Sequence, residues 1–187
     1  MAVPALVSRT LVVIATVLIL GFIQRLLSNK ADSIQRMEAA IRTLTPPAWN
    51  FVAMEYCYGM LNRTYLVFVT RDTVVGLRVR GPISAPMMVT QQHHNPYFYP
   101  RTRQIEKYAH ANLESPSLLK IWRANFHIPR HEIAQVEFTA APKWGMGPLP
   151  YSGRILLHLK NGSSRELILL GDQNGQHVQS KLTATLA

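Results

Sequence analysis

Hydrophobic positions divide the chain into three regimes. Leu11 to Ile23, LVVIATVLILGFI, carries no charge and no strongly polar side chain. Residues 30–44 carry Ile34, Met37, Ile41 and Leu44 at spacings of three and four, the period of one helix face. Asp32 or Ser33 can cap the start of that helix, and Thr45-Pro46-Pro47 stops it. From Tyr65 the pattern turns to strand. Tyr65-Leu-Val-Phe-Val-Thr70 is β-branched and aromatic, Arg71-Asp72 makes a turn, and Thr73 to Arg80 alternates. Val75, Leu77 and Val79 fall on one face of that second strand, Arg78 and Arg80 on the other.

The same period predicts a strand over Glu132–Thr139 with Ala134, Val136 and Phe138 on one face. Gly153–Lys160 follows, with Ile155, Leu157 and Leu159 inward. Asn161-Gly162 is a hairpin signal, and Arg165–Leu170 is the return strand. Val178, Leu182 and Leu186 recur every four residues and predict a closing helix, with Asp172 as its N-cap. Two stretches are less regular. Ala48–Leu61 is rich in aromatics but fits neither period, so strand and short helix both stay open. Residues 83–128 read as a polar and aromatic loop over Gln91–Pro100, a short helix over Arg101–His110, and a strand over Leu118–Ile128 stopped by Pro129.

Thirteen apolar residues are short of the roughly 20 that a membrane-spanning helix needs. Extended from Val3 to Leu27 the run is long enough, with Arg9 and Arg25 near its ends, where their stems can snorkel. A cleaved signal peptide requires a small-x-small site, yet Gly21-Phe-Ile-Gln-Arg-Leu-Leu-Ser28 is bulky and charged. A transmembrane anchor is therefore preferred over a signal peptide or a buried core helix. Arg25, Lys30, Arg36 and Arg42 outweigh Arg9, which favours a single-pass protein with its C-terminal side cytoplasmic. A single cysteine, Cys57, allows no internal disulfide and agrees with that side. The chain so divides into an anchor (1–28), a helical stalk or linker (29–47) and a β domain (48–187).

Charge adds a partner class. The formal net charge is +10. The excess peaks over residues 91–131, where six lysines and arginines meet two acids, Glu106 and Glu114. Beside a membrane, such a surface attracts acidic lipid. A lipid or protein partner at the membrane is preferred over nucleic acid. The sharpest candidate is the segment His93–Lys107, with aromatics Tyr97, Phe98 and Tyr99 beside Arg101, Arg103 and Lys107. Aromatic rings favour the bilayer interface and cations favour acidic headgroups. Arg78 and Arg80 extend this membrane-binding set. The competing reading is that the aromatics fill the core while the cations face water. His127 and His131 make a poor metal pair, because Pro129 opposes a helix and a strand would separate them by about 13 Å. There is no Gly-x-Ser-x-Gly elbow or phosphate-binding glycine loop, and the ten carboxylates are scattered. The expectation is a protein without cofactor or metal that is not an enzyme.

Two local patterns resemble the pleckstrin-homology-like (PH-like) and GRAM-like families, the bacterial PH-domain type in particular. Tyr65-Leu-Val-Phe-Val-Thr-Arg-Asp-Thr-Val-Val-Gly-Leu77 resembles their opening strand, polar turn and strand. Ile128-Pro-Arg-His-Glu-Ile-Ala-Gln-Val-Glu137 resembles their later strand. The resemblance covers about residues 60–187 and departs at 83–128, which is longer and more aromatic than a hairpin loop. It implies an α+β, mainly β fold: an antiparallel β-barrel closed by a C-terminal helix, behind the transmembrane helix. It also implies a binding module that contacts acidic lipid headgroups or a protein partner. The alternative is a structural subunit or assembly factor of a membrane complex.

Overall fold

The computed structural model describes residues 32–59, 61–84, 94–146 and 149–184. The expected membrane span, Val3–Leu27, lies outside them. Among the described residues no helix is long and apolar enough to cross a membrane. Residues 37–187 form one compact unit, which holds the β domain. Helix α1 (residues 32–42) buries Met37 and Ala40, and Leu44 just beyond it is buried too.

Seven strands make one antiparallel sheet: β1 (Trp49–Tyr58), β2 (Leu61–Val69), β3 (Thr73–Ser84), β4 (Phe126–Pro129), β5 (Ile133–Thr139), β6 (Tyr151–Leu159) and β7 (Ser164–Leu170). Their order is β4-β3-β2-β1-β7-β6-β5. Mainly β with a C-terminal helix is therefore correct, but the expected barrel does not close. β4 has only four residues and ends at Pro129, which has no N–H to donate. A 3-10 turn over Arg130–Glu132 then carries the chain into β5. At this corner Arg130 N–H donates to the Asp72 carbonyl (2.8 Å) and Lys160 N–H to the Glu132 carbonyl (2.8 Å).

All seven strands contribute to one core on the concave face. Phe51 and Ala53 meet Tyr65, Val67 and Val69, with Ile155, Leu157, Leu167 and Leu169 from the other half. The opposite face is buried as well: Val52, Met54, Leu66, Phe68, Val75, Leu77 and Ile168 are all covered. A strand buried on both faces shows no period of two. That is why Ala48–Leu61 could not be assigned from sequence and yet forms β1.

The long β3–β4 connection supplies part of the outer cover. It folds as a 3-10 turn (Pro96–Phe98), α2 (Thr102–Ile105), a second 3-10 turn (Glu106–Tyr108) and α3 (Leu118–Ile121). Tyr99, Ile105, Tyr108, Leu113 and Leu118 are buried. The strand expected over Leu118–Ile128 is therefore only Phe126–Pro129, because Leu118 is consumed in covering the sheet from a helical turn. The connection also dresses the open edge of β3, which β4 pairs only over Thr73–Gly76. Asn125 Oδ1 accepts from Arg78 N–H (2.9 Å), and the Val79 carbonyl accepts from Arg101 N–H (3.1 Å). The segment after α1 is stitched to it, with Thr45 N–H donating to the Ala111 carbonyl (3.2 Å) and Leu113 N–H to the Thr45 carbonyl (2.6 Å).

Helix α4 (Gly175–Thr183) packs on β5 and β6 with Val178 and Leu182 in the core. Asn174, not Asp172, is its N-cap, accepting from His177 N–H (2.9 Å); Leu186 lies outside the described residues. The turn at Asn161-Gly162 forms as expected, Gly162 taking φ +83°. On β5, an irregular register between Ile133 and Gln135 leaves Ala134 exposed where alternation put it inward.

Candidate functional site: an arginine-lined mouth

Strand register builds the site. In β1–β2, Ala53 lies opposite Tyr65 and Glu55 opposite Arg63. In β2–β3, Tyr65 lies opposite Arg78. On β7, Arg165 is two residues before Leu167 and four before Leu169, and Leu169 pairs with Ala53. Because side chains alternate along a strand, the concave face that carries the apolar core ends in Glu55, Arg63, Arg78 and Arg165. The core runs out into a charged mouth.

Tyr65 marks the boundary. It is fully buried, its hydroxyl donates to the Ala124 carbonyl (3.0 Å), and its ring lies 5.3 Å from that of Phe126. Burial pushes its pKa up, reinforced by Glu55 and opposed by Arg165 and Arg63. Phe126 is admitted by Gly76, its partner in β3–β4. A Cβ at Gly76 would fall 2.0 Å from the Phe126 ring, inside any van der Waals contact. Arg165 lies with its guanidinium 4.1 Å from the Phe126 ring centroid and bonds Glu55 Oε2 at 3.0 Å.

Trp122 walls the other side. The Arg78 guanidinium and Lys107 Nζ sit 4.0 and 5.0 Å from its ring centroid. Beside it opens a concavity of about 420 Å³ lined by Arg63, Arg78, Trp122, Arg123 and Ala124, none of them acidic. The Trp122 indole N–H is buried with no hydrogen-bond partner among the described residues. Guanidinium forks around a hollow with no carboxylate in its lining suit a phosphate or carboxylate group. A second concavity, about 440 Å³, holds Arg71, Arg130, His131 and Lys160, but also Asp72. There the Arg130 guanidinium already donates to the carbonyls of Thr70, Lys181 and Leu182. The Trp122 hollow is the more open to an anion.

Of the residues expected from sequence, Arg78 and Lys107 meet at this mouth. Arg80 does not: the register shifts so that Arg78 opposes Tyr65 while Arg80 opposes Thr64. The bulge turns the two arginines to opposite faces. Arg80 instead donates to the Tyr99 carbonyl (3.3 Å), and burial, then Arg101, pushes its pKa down. Tyr97 donates its hydroxyl to Asn50 Oδ1 (2.9 Å), Phe98 is half-buried and Tyr99 is buried. Arg101 and Arg103 are exposed at α2. Sequence reasoning missed Arg63, Trp122, Arg123 and Arg165. Counting by twos back from Tyr65 and from Leu167 would have put Arg63 and Arg165 on the core face; nothing comparable marked Trp122.

Among the described residues no group of three or more His, Cys, Asp or Glu side chains could hold a metal ion. No family model, curated protein or solved structure matches this chain.

Proposed function

We propose that the chain is a membrane-anchored, non-enzymatic binding module of PH-like type, whose arginine-lined mouth takes an acidic lipid headgroup. The observation that carries this reading is the meeting of Arg63, Arg78, Arg123 and Lys107 around Trp122, over a hollow without a carboxylate in its lining. The strand order β4-β3-β2-β1-β7-β6-β5, with α4 against β5 and β6, supports the PH-like assignment. The apolar run Leu11–Ile23 supports a membrane setting.

The test is calorimetric titration of the full chain, in nonionic detergent, with inositol hexakisphosphate as a soluble phosphate probe. Binding should weaken with salt, since exposed charge is screened, and should fall about tenfold or more in Arg78→Gln. Absence of binding at low salt, or binding indifferent to Arg63→Gln and Arg78→Gln together, would falsify the reading. The alternative, a structural subunit or assembly factor, has one observation in its favour. β5 ends the sheet with Ala134, Gln135, Glu137 and Thr139 exposed, an edge to which a partner strand can add.

A further inference from the structure

The open corner between β4 and β5 gathers cations at the other end of β2 from the Trp122 hollow. Arg63 stands near the start of that strand and Arg71 just past its end, roughly 25 Å further along an extended chain. Three turns meet at the corner by backbone contact. Arg130 N–H donates to the Asp72 carbonyl, and Lys160 N–H to the Glu132 carbonyl. The β2–β3 turn brings Arg71 and Asp72, the corner itself Arg130 and His131, and the β6–β7 turn Lys160, all to one concavity of about 440 Å³. Ala134, exposed where the register of β5 is irregular, lines it too, and a methyl group leaves the space open.

These cations lack a counterion. Among the described residues, Arg71, Arg130 and Lys160 make no ion pair. Arg130 is 5% exposed, and its hydrogen bonds go to the neutral carbonyls of Thr70, Lys181 and Leu182. Its Nε is buried with no hydrogen-bond partner among the described residues. A buried guanidinium is costly unless an opposite charge lies near it. Asp72 is the carboxylate of the lining, but it is exposed and pairs with none of the three. Three permanent cations against one carboxylate leave the hollow two charges positive, before His131 is counted.

We propose that this corner is a second anion site, which takes a phosphomonoester group. Such a group carries a charge of roughly −1.5 to −2 at neutral pH, which balances the lining, and three strong acceptor oxygens. A carboxylate brings a single charge and a flat pair of oxygens. Donors arriving from three separate turns suit the tetrahedral group: a fork from Arg71, an ammonium from Lys160 and a ring nitrogen from His131. Arg130 adds its charge from beneath. The bound group braces the three turns where the barrel stays open. The inference stands apart from the Trp122 hollow, with which this concavity shares no lining residue.

The test is thermal unfolding of the full chain in nonionic detergent, carrying Arg63→Gln/Arg78→Gln so that the result is the same whether or not the mouth binds anions. The probes are inorganic phosphate and short-chain phosphatidic acid, each against sodium chloride of equal ionic strength. A ligand that binds only the folded chain should raise the midpoint by about 3–6 °C at ten times its Kd. Phosphate also stabilises proteins by exclusion from their surface. The share due to the corner is therefore the part lost on adding Arg71→Gln/Lys160→Gln, two exposed positions where substitution costs the fold little. Asp72→Asn removes the opposing charge and should tighten binding about threefold or more. A gain from phosphatidic acid alone, abolished by the Gln pair, assigns the group to a lipid headgroup; the same gain from inorganic phosphate assigns it to a free phosphate. Either supports the site. A midpoint unmoved by both probes, a gain equal with and without the Gln pair, or looser binding in Asp72→Asn overturns it.

Discussion

The Arg78 guanidinium lies 4.0 Å from the centroid of the Trp122 ring, held there by a strand on one side and the end of α3 on the other. The ring orients a cation that would otherwise sample many rotamers. A cation–π contact of this kind contributes about 0.5–2 kcal/mol. Trp122→Ala should therefore weaken inositol hexakisphosphate binding about tenfold, whereas Trp122→Phe, which keeps a ring face, should retain most of the affinity. Calorimetry on the three proteins decides it. Equal loss in both variants would mean that the indole N–H, not the ring face, is what matters.

Glu55 opposes the function of the site it belongs to. Its carboxylate bonds Arg165 at 3.0 Å and faces Arg63 across the β1–β2 ladder. Both partners of the Glu55–Arg165 pair are about a quarter exposed, so the pair contributes only about 1 kcal/mol to stability after screening. Glu55→Gln should thus fold with little loss and bind the anionic probe roughly three- to tenfold more tightly at low salt. The gain should shrink as ionic strength rises. An unchanged affinity would mean that Arg165 neutralises Glu55 completely.

These two sites show what could be read from sequence and what could not. Val75, Leu77 and Val79 do share a buried face, because β3 alternates as its residues suggest. Arg78 and Arg80 carry the same alternation, yet the bulge between them sends Arg80 to the layer under Tyr99. No local property of those residues announces a bulge. Trp122 was hidden differently: its stretch reads as strand, but Leu118 is drawn onto the outer face in a helical turn and the chain becomes β only at Phe126. Phe51 and Val52 are both buried, on opposite faces, so β1 shows no period at all. Sequence periodicity reports one buried face well. It is silent where a second layer covers the other, and here that layer positions Trp122 and Lys107.

Alkaline pH should destabilise the fold through Tyr108. This tyrosine is fully buried, with its hydroxyl 2.9 Å from Asn125 Oδ1 and 3.2 Å from the Arg78 carbonyl. Burial pushes its pKa up to about 12, with partial relief from the Asn125 hydrogen bond and from Arg78. A folded-state pKa above the unfolded value of 10.0 means that the unfolded chain loses its proton first. The contribution is fully present below pH 10 and is lost as pH rises to 12, about 2–3 kcal/mol in all. Tyr56, Tyr65 and Tyr97, whose pKa values are also raised, steepen the same limb. Urea unfolding at a series of pH values should show this fall, and Tyr108→Phe should flatten it while lowering stability near neutrality by about 1 kcal/mol for the lost hydrogen bond.

Arg130 is a buried cation with a structural task. It is 5% exposed, and its guanidinium donates to the Thr70 carbonyl (3.0 Å) and to the carbonyls of Lys181 (3.1 Å) and Leu182 (2.8 Å). The last two belong to the final turn of α4, whose carbonyls have no partner within the helix. One side chain therefore ties the β2–β3 turn, the β4–β5 corner and the closing helix together, and its charge complements the negative end of the helix dipole. Arg130→Ala strips those carbonyls of their donor and leaves a buried gap, which should cost about 2–4 kcal/mol. Arg130→Lys keeps the charge, but a single ammonium cannot span the same three oxygens, so it should recover only part of the loss. Arg130→Met tests the remaining possibility, that packing of the stem dominates. Urea denaturation should rank the proteins wild type, Lys, Met, Ala. A Met variant as stable as wild type would show that the hydrogen bonds to α4 contribute little beyond the volume they occupy.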